Sequence, residues 1–168
     1  MKYLFVTLFV LLISHCLPAQ TFEKNKKESA DDFVKRILPE NAFIQFKVLE
    51  NKFNTPGKKI VFFYRKPAMD STINDSVKIN CMFANVLVPE NETSAKYSLQ
   101  TFKLDCNRGY NVTVDDAIFE KDKDKKIYAS ILFAQLNRKS TALIIKTYKT
   151  FHLKQSSENN FTIEEVKE

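Results

Sequence analysis

The chain has 168 residues, 44% of them hydrophobic and 27% charged, with a net charge of +6. That length fits one domain with a sizeable core, and charges interspersed along it favour solubility and weak attraction to anionic polymers or membrane surfaces, not nucleic-acid binding. Two glycines and two histidines exclude phosphate cradles and dinucleotide fingerprints, which need several glycines close together, and argue against a zinc site built on His and Cys.

Met1 to Gln20 read as a secretory signal peptide. Lys2 is followed by an apolar run from Leu4 to Ile13, broken only by Thr7, and then by Leu17-Pro18-Ala19 with a small residue at the cut. Cleavage near Ala19/Gln20 is expected, exporting the protein to the periplasm or the extracellular space. A membrane anchor needs about 18 to 20 apolar residues, roughly twice this run, so no membrane span is expected. Lipidation at Cys16 is disfavoured because His15 stands where lipoprotein signals carry a small residue. Removing residues 1–19 takes away one charge, Lys2, and leaves 149 residues with 25 bases, 20 acids and a net charge of +5.

Residues 20–28 carry the basic cluster Lys24-Asn25-Lys26-Lys27 and no apolar period, and are read as a flexible lead-in to a single domain over 29–168. Ser29-Ala30-Asp31-Asp32 predicts a helix start: the serine can accept from a free backbone N–H, and the acids suit the positive end of the helix dipole. Phe33, Val34, Ile37 and Leu38 follow at helical spacing, and Pro39 ends the helix.

From Asn41 onward the pattern is alternation rich in β-branched and aromatic residues. Strands are predicted over Ala42 to Glu50, Lys59 to Lys66, Val77 to Val88, Lys96 to Cys106, Tyr110 to Glu120, Lys126 to Leu136 and Thr141 to Leu153, with a shorter one over Phe161 to Val166. Turns are expected at Asn54 to Gly57, Pro67 to Asp75, Asn107 to Gly109, the charged tip Lys121 to Lys125, and Asn137 to Ser140. The strand over Lys126 to Leu136 is apolar on both faces, which predicts a central position covered on both sides.

Without Cys16 the chain keeps Cys81 and Cys106, an even pair in a compartment where disulfides persist. A hairpin turn centred between Thr93 and Ser94 sets Cys81 opposite Cys106, and by the same register Phe83 opposite Leu104 and Val88 opposite Leu99. A disulfide between Cys81 and Cys106 is therefore expected.

The fold class expected is α+β: one short N-terminal helix followed by a curved antiparallel meander sheet of about six to eight strands. This order of elements resembles the cystatin-like and NTF2-like folds, in which a curved sheet wraps a helix. A small β-barrel with a helical appendage is the alternative.

Chemistry-bearing residues are few. His152, beside Phe151 and Leu153 on the face that carries Tyr148 and Lys146, has no motif marking a nucleophile partner, and a surface or packing imidazole is expected. The acid pairs Asp31/Asp32, Asp115/Asp116 and Glu164/Glu165 read as solvated residues, since neighbours on a regular strand point to opposite faces and cannot form one dyad. No catalytic, metal or cofactor-binding residue is assigned. Aromatic and basic residues interleave near Tyr64, Arg65 and Tyr148, which are the candidates for a ligand face that stacks on sugars or pairs with anions. Asp70-Ser71-Thr72 and Asp75-Ser76-Val77 resemble the Asp-Ser/Thr-aliphatic or Thr sequon of O-glycosylated Gram-negative periplasmic proteins, implying Ser71 and Ser76 as acceptors. Asn-x-Ser/Thr occurs at Asn74, Asn91, Asn111 and Asn160.

The expected function is that of an exported, non-enzymatic binding or interaction domain of the cell envelope or extracellular space. Its partner is an envelope protein or a small apolar or glycan ligand, with no cofactor. One alternative is an inhibitor-like or structural protein that pairs through a sheet edge; another is a small enzyme that works in a helix–sheet cleft without a sequence motif.

Overall fold

The computed structural model describes residues 20–70, 77–107, 112–139 and 142–167, and the side chains of these except 68–70, 77–78, 107, 135–139 and 142–148. Residues 1–19, where a signal peptide is expected, lie outside the described residues, as do Ser71, Ser76, Asn74 and Asn111.

The fold is mostly antiparallel sheet, with a single helix among the described residues. Helix α1 (Ala30–Ile37) begins as the sequence predicts: Ser29 Oγ accepts from the Asp32 N–H at 3.1 Å, and Asp31 and Asp32 fill the first turn. It ends at Leu38, just before Pro39.

The strands are β1 (Thr21–Glu23), β2 (Phe43–Ile44), β3 (Leu49–Asn51), β4 (Lys59–Asp70), β5 (Val77–Pro89), β6 (Lys96–Asn107), β7 (Val112–Lys121), β8 (Ile127–Lys139), β9 (Ala142–Ser157) and β10 (Asn160–Val166). They do not form the one sheet that was expected. Sheet A has the order β1-β6-β5-β4-β2, with β3 also on β4; sheet B has the order β10-β9-β8-β7. Each is antiparallel, and consecutive strands β4 to β6 and β7 to β10 meander within their own sheets. The alternating apolar faces of the two sheets meet in one core containing Phe63, Met82, Val86, Val114, Ile131, Phe133, Phe151 and Leu153. The other face of sheet A carries α1, whose Phe33 and Val34 pack with Ile60, Phe62, Tyr64 and Leu87. The layers therefore run helix, sheet A, sheet B.

Several boundaries differ from the sequence reading for identifiable reasons. Thr21–Glu23, expected in the flexible lead-in, forms β1 against Lys96 to Ser98 of β6 and covers that edge of sheet A. The segment Ala42 to Glu50 splits into β2 and β3 because Phe46 turns into the inter-sheet core, edge-on to Phe63, while Val48 packs on the helix side. Strand β4 runs past the turn expected at Pro67. Pro67 lies beyond the end of β2, where β4 is paired only with β5, so its missing N–H costs no ladder bond.

Hairpin β5–β6 places Cys81 opposite Cys106, and the two form a disulfide with Cα atoms 4.1 Å apart. Beyond them the expected register slips by one: Phe83 pairs with Lys103, not Leu104, and Val88 with Ser98, not Leu99. A β-bulge opposite Met82 is the cause. It turns both Leu104 and Asp105 toward sheet B, Leu104 into the core and Asp105 onto Lys149 at 2.9 Å.

Candidate functional site

On the helix side of sheet A, α1 covers the strands around Ile60, Phe62, Tyr64 and Leu87, while Thr101 and Lys103 of β6 stay exposed. Tyr64, expected on a ligand face, is 7% exposed, and its ring stacks on Phe83 with centroids 5.1 Å apart; burial pushes its phenol pKa up. Arg65, the next residue on the strand, is half-buried, and its side chain leaves the opposite face. Tyr148 lies in β9 in register with Ala134, and its side chain is not among those described. The three candidates are thus not brought together on one described surface.

The outer face of sheet B carries no covering layer among the described residues. Three cross-strand rows form it. Glu120, Tyr128, Lys154 and Thr162 lie in one row; Ile118, Ser130, His152 and Glu164 in the next; Asp116, Leu132, Thr150 and Val166 in the third. Their neighbours along the strands, Ala117, Ile131, Phe151 and Leu153, point into the core, so these rows point away from it. The expectation that β8 is covered on both faces holds on its inner side alone: Tyr128, Ser130 and Leu132 remain half-buried on the outer side.

At the centre of this face the Tyr128 ring lies 4.6 Å from the His152 ring. The Tyr128 hydroxyl donates to Glu120 Oε2 at 2.7 Å, and that hydrogen bond holds the phenol proton and raises its pKa. Lys154 pairs with Glu164 across to β10, which lowers the carboxyl pKa. Ile118, 48% exposed, and Val166, 37% exposed, stand on the two edge strands. The result is a mixed surface with an aromatic and imidazole centre, compensated charges and apolar margins.

The sequence offered a route to the Glu120–Tyr128 pair: a hairpin tip centred on Asp124 places the two opposite each other. Asp122 builds that tip, its Oδ1 accepting from the Asp124 and Lys126 N–H groups at 2.9 Å each. Of the acid pairs, Asp115 is the bulged residue of β7 and Asp116 accepts from its neighbour's N–H, both exposed. Glu164 and Glu165 diverge, Glu164 to Lys154 outside and Glu165 toward Lys149 on the inner side at 3.6 Å. Among the described residues no cluster of three or more His, Cys, Asp or Glu side chains could hold a metal ion, and no helix is long and apolar enough to cross a membrane.

A different set of polar residues ties the two sheets together, and none of it was legible as a motif. Asn54 exchanges two hydrogen bonds with the Ile127 backbone, at 3.1 and 2.7 Å; Gln155 accepts from Asn54 N–H and donates to Thr55 Oγ1; Gln100 accepts from Phe161 N–H at 2.9 Å. The loop that carries Asn54 is held from within by Lys59, 1% exposed, whose Nζ donates to the carbonyls of Lys52, Thr55 and Pro56 and to Thr55 Oγ1. Phe53 takes a positive φ of 54° there, and its ring fills the core against Phe119 and Phe161. Gly57, at φ 81°, lets the loop approach Pro89, which a Cβ would meet at 3.0 Å. These groups are structural stitches.

Compared with protein-family models, with curated proteins and with solved structures, the chain matches none of them.

Proposed function

We propose that this chain is an exported, non-enzymatic binding domain that docks another envelope protein on the outer face of sheet B. The observation that carries the reading is the asymmetry of the two outer faces. On sheet A, α1 covers the apolar centre and leaves the polar Thr101 and Lys103 exposed, whereas sheet B leaves exposed Ile118 and half-buried Leu132, Tyr128 and His152 without a covering layer among the described residues, beside small polar residues, a composition suited to a polar, reversible interface. The Cys81–Cys106 disulfide supports an oxidising destination, and the short apolar run of the leader supports cleavage near Ala19/Gln20. O-glycosylation at Ser71 and Ser76 belongs to the same proposal. So does the finer α+β class of cystatin-like or NTF2-like order: the single helix resting on sheet A supports that order, and the second sheet behind it is the departure.

A photo-crosslinking residue placed at Ser130 on the outer face is expected to trap a protein adduct in the producing cells. The same residue at exposed Lys103 of sheet A is expected to trap none. Adducts at Lys103 and not at Ser130 would overturn the assignment of the face.

The second reading, pairing through a sheet edge, draws on β7 and β10, each bonded to one neighbour within sheet B. The bulge at Asp115 and the acids of β10 protect those edges against indiscriminate pairing, and we rank this reading below docking on the face. Enzymatic action ranks lower still: the Tyr128 hydroxyl donates to Glu120 in a hydrogen bond that opposes its ionisation.

A further inference from the structure

We propose that the cleft between the turn after β1 and the β5–β6 turn binds an acidic saccharide, its acid group received by Lys24 and Lys26. The two turns are joined by the Lys24 N–H, which donates to the Ala95 carbonyl at 2.8 Å. Between them lies a space of about 250 Å³, smaller than the roughly 300 to 1,000 Å³ of pockets that enclose drug-sized ligands, and so suited to a single sugar residue.

The lining has a definite chemistry. Lys24 and Lys26 supply charge, Asn25 supplies an amide and Tyr97 an aromatic wall; Thr93 and Ser94 add two hydroxyls, the first donating to Asn91 Oδ1 at 3.3 Å and free to accept, the second accepting from Lys96 N–H at 3.0 Å and free to donate, and no carboxylate lines the space. The nearby acids have cations of their own: Glu28 is held by Arg36 at 2.8 Å, with Lys24 a weaker influence on its carboxylate, Glu50 on the Tyr97 side faces Lys58 at 3.6 Å, and Glu92 faces Lys52 at 3.8 Å. Lys24 donates one hydrogen bond to the Glu28 carbonyl, which leaves two further donors on its ammonium. Lys26 is exposed and has no acid partner among the described residues. Two ammonium groups select an anion; hydroxyl and amide groups beside an aromatic wall select a polyhydroxylated ring over a bare ion.

Another cleft among the described residues makes the contrast. It measures about 190 Å³, and its lining includes Lys126 and Lys154, but Asp122 shares that lining and Glu164 pairs with Lys154. Its amides, Asn54 and Gln155, are spent on the bonds between the sheets. The Lys24/Lys26 cleft lies apart from the outer face of sheet B, and its ligand does not depend on the docking reading.

The test is an amide NMR titration of the mature protein with trigalacturonate, with neutral galactotriose and with inorganic phosphate. Trigalacturonate is expected to shift the resonances of residues 24–26 and 93–97. Lys26→Gln, a change on an exposed turn, is expected to weaken that binding about tenfold, the worth of one charged contact, while Lys126→Gln in the other cleft leaves it unchanged. The proposal is overturned if trigalacturonate does not bind, if both lysine variants weaken it alike, or if Lys26→Gln has no effect. Equal affinity for galactotriose would overturn the anionic requirement, and equal affinity for phosphate would overturn the saccharide.

Discussion

A buried ammonium is costly unless its protons reach oxygen acceptors. Lys59 meets that condition through four contacts of 2.7 to 3.1 Å, all to uncharged groups of residues 52–56, while burial pulls its pKa down. Replacing it with methionine removes the ammonium from the carbonyls of Thr55 and Pro56 and leaves that of Lys52 with the Thr55 N–H at 3.4 Å. Lys59→Met is therefore expected to cost about 2 to 3 kcal/mol, read as a lower urea midpoint. Glu28 is a second local anchor, its side chain 10% exposed and its carboxyl held down at about 2 by the hydrogen-bonded Arg36 guanidinium. Because the folded value lies below the ordinary 4.5, the pair stabilises fully above that pH and loses its contribution as the pH falls toward 2. Glu28→Gln should unfold at lower urea than the parent at pH 6, with the two curves converging by pH 2. Neither anchor was legible in the sequence. Lys59 sits at the start of an alternating strand like any solvated lysine, and its burial depends on a loop that folds back over it.

At the scale of elements, the β5–β6 hairpin shows what local pattern can and cannot determine. Two cysteines flanking a polar turn predicted their own pairing, and the disulfide bears this out. The register beyond them was missed because a bulge leaves no trace in alternation when two consecutive residues, Leu104 and Asp105, both find uses on the inner side. The helix was readable in full, since a serine cap, two acids and a following proline act locally. The disulfide closes cysteines 25 residues apart, which corresponds to about 3 kcal/mol in the chain-entropy account. A Cys81→Ser/Cys106→Ser variant should lose that amount in urea unfolding. Adding reductant should bring the parent down to the variant and leave the variant where it is.

At the scale of the whole molecule, periodicity shows which faces are apolar but not which layer each face meets. Every strand from β4 to β10 carries an apolar face, and one curved sheet or two stacked sheets satisfy that pattern equally. The division falls between β6 and β7, and the polar contacts across it include the amides of Asn54, Gln100 and Gln155 and the Asp105–Lys149 ion pair, single side chains with no spacing rule. The candidate docking face was illegible for the same reason: His152, Tyr128, Leu132 and Ile118 come from three strands and become neighbours only through register. The measurement that bears most directly on the account is the mass of the protein taken from its own producing cells, native and then denatured, alongside an Ile118→Asp/Leu132→Asp variant. The account predicts a chain starting at Gln20 and lighter by two hydrogens, carrying a protein-sized partner that leaves on denaturation and is absent from the variant. A retained leader, free thiols, a bare chain under native conditions, or a partner held equally by the variant would contradict it.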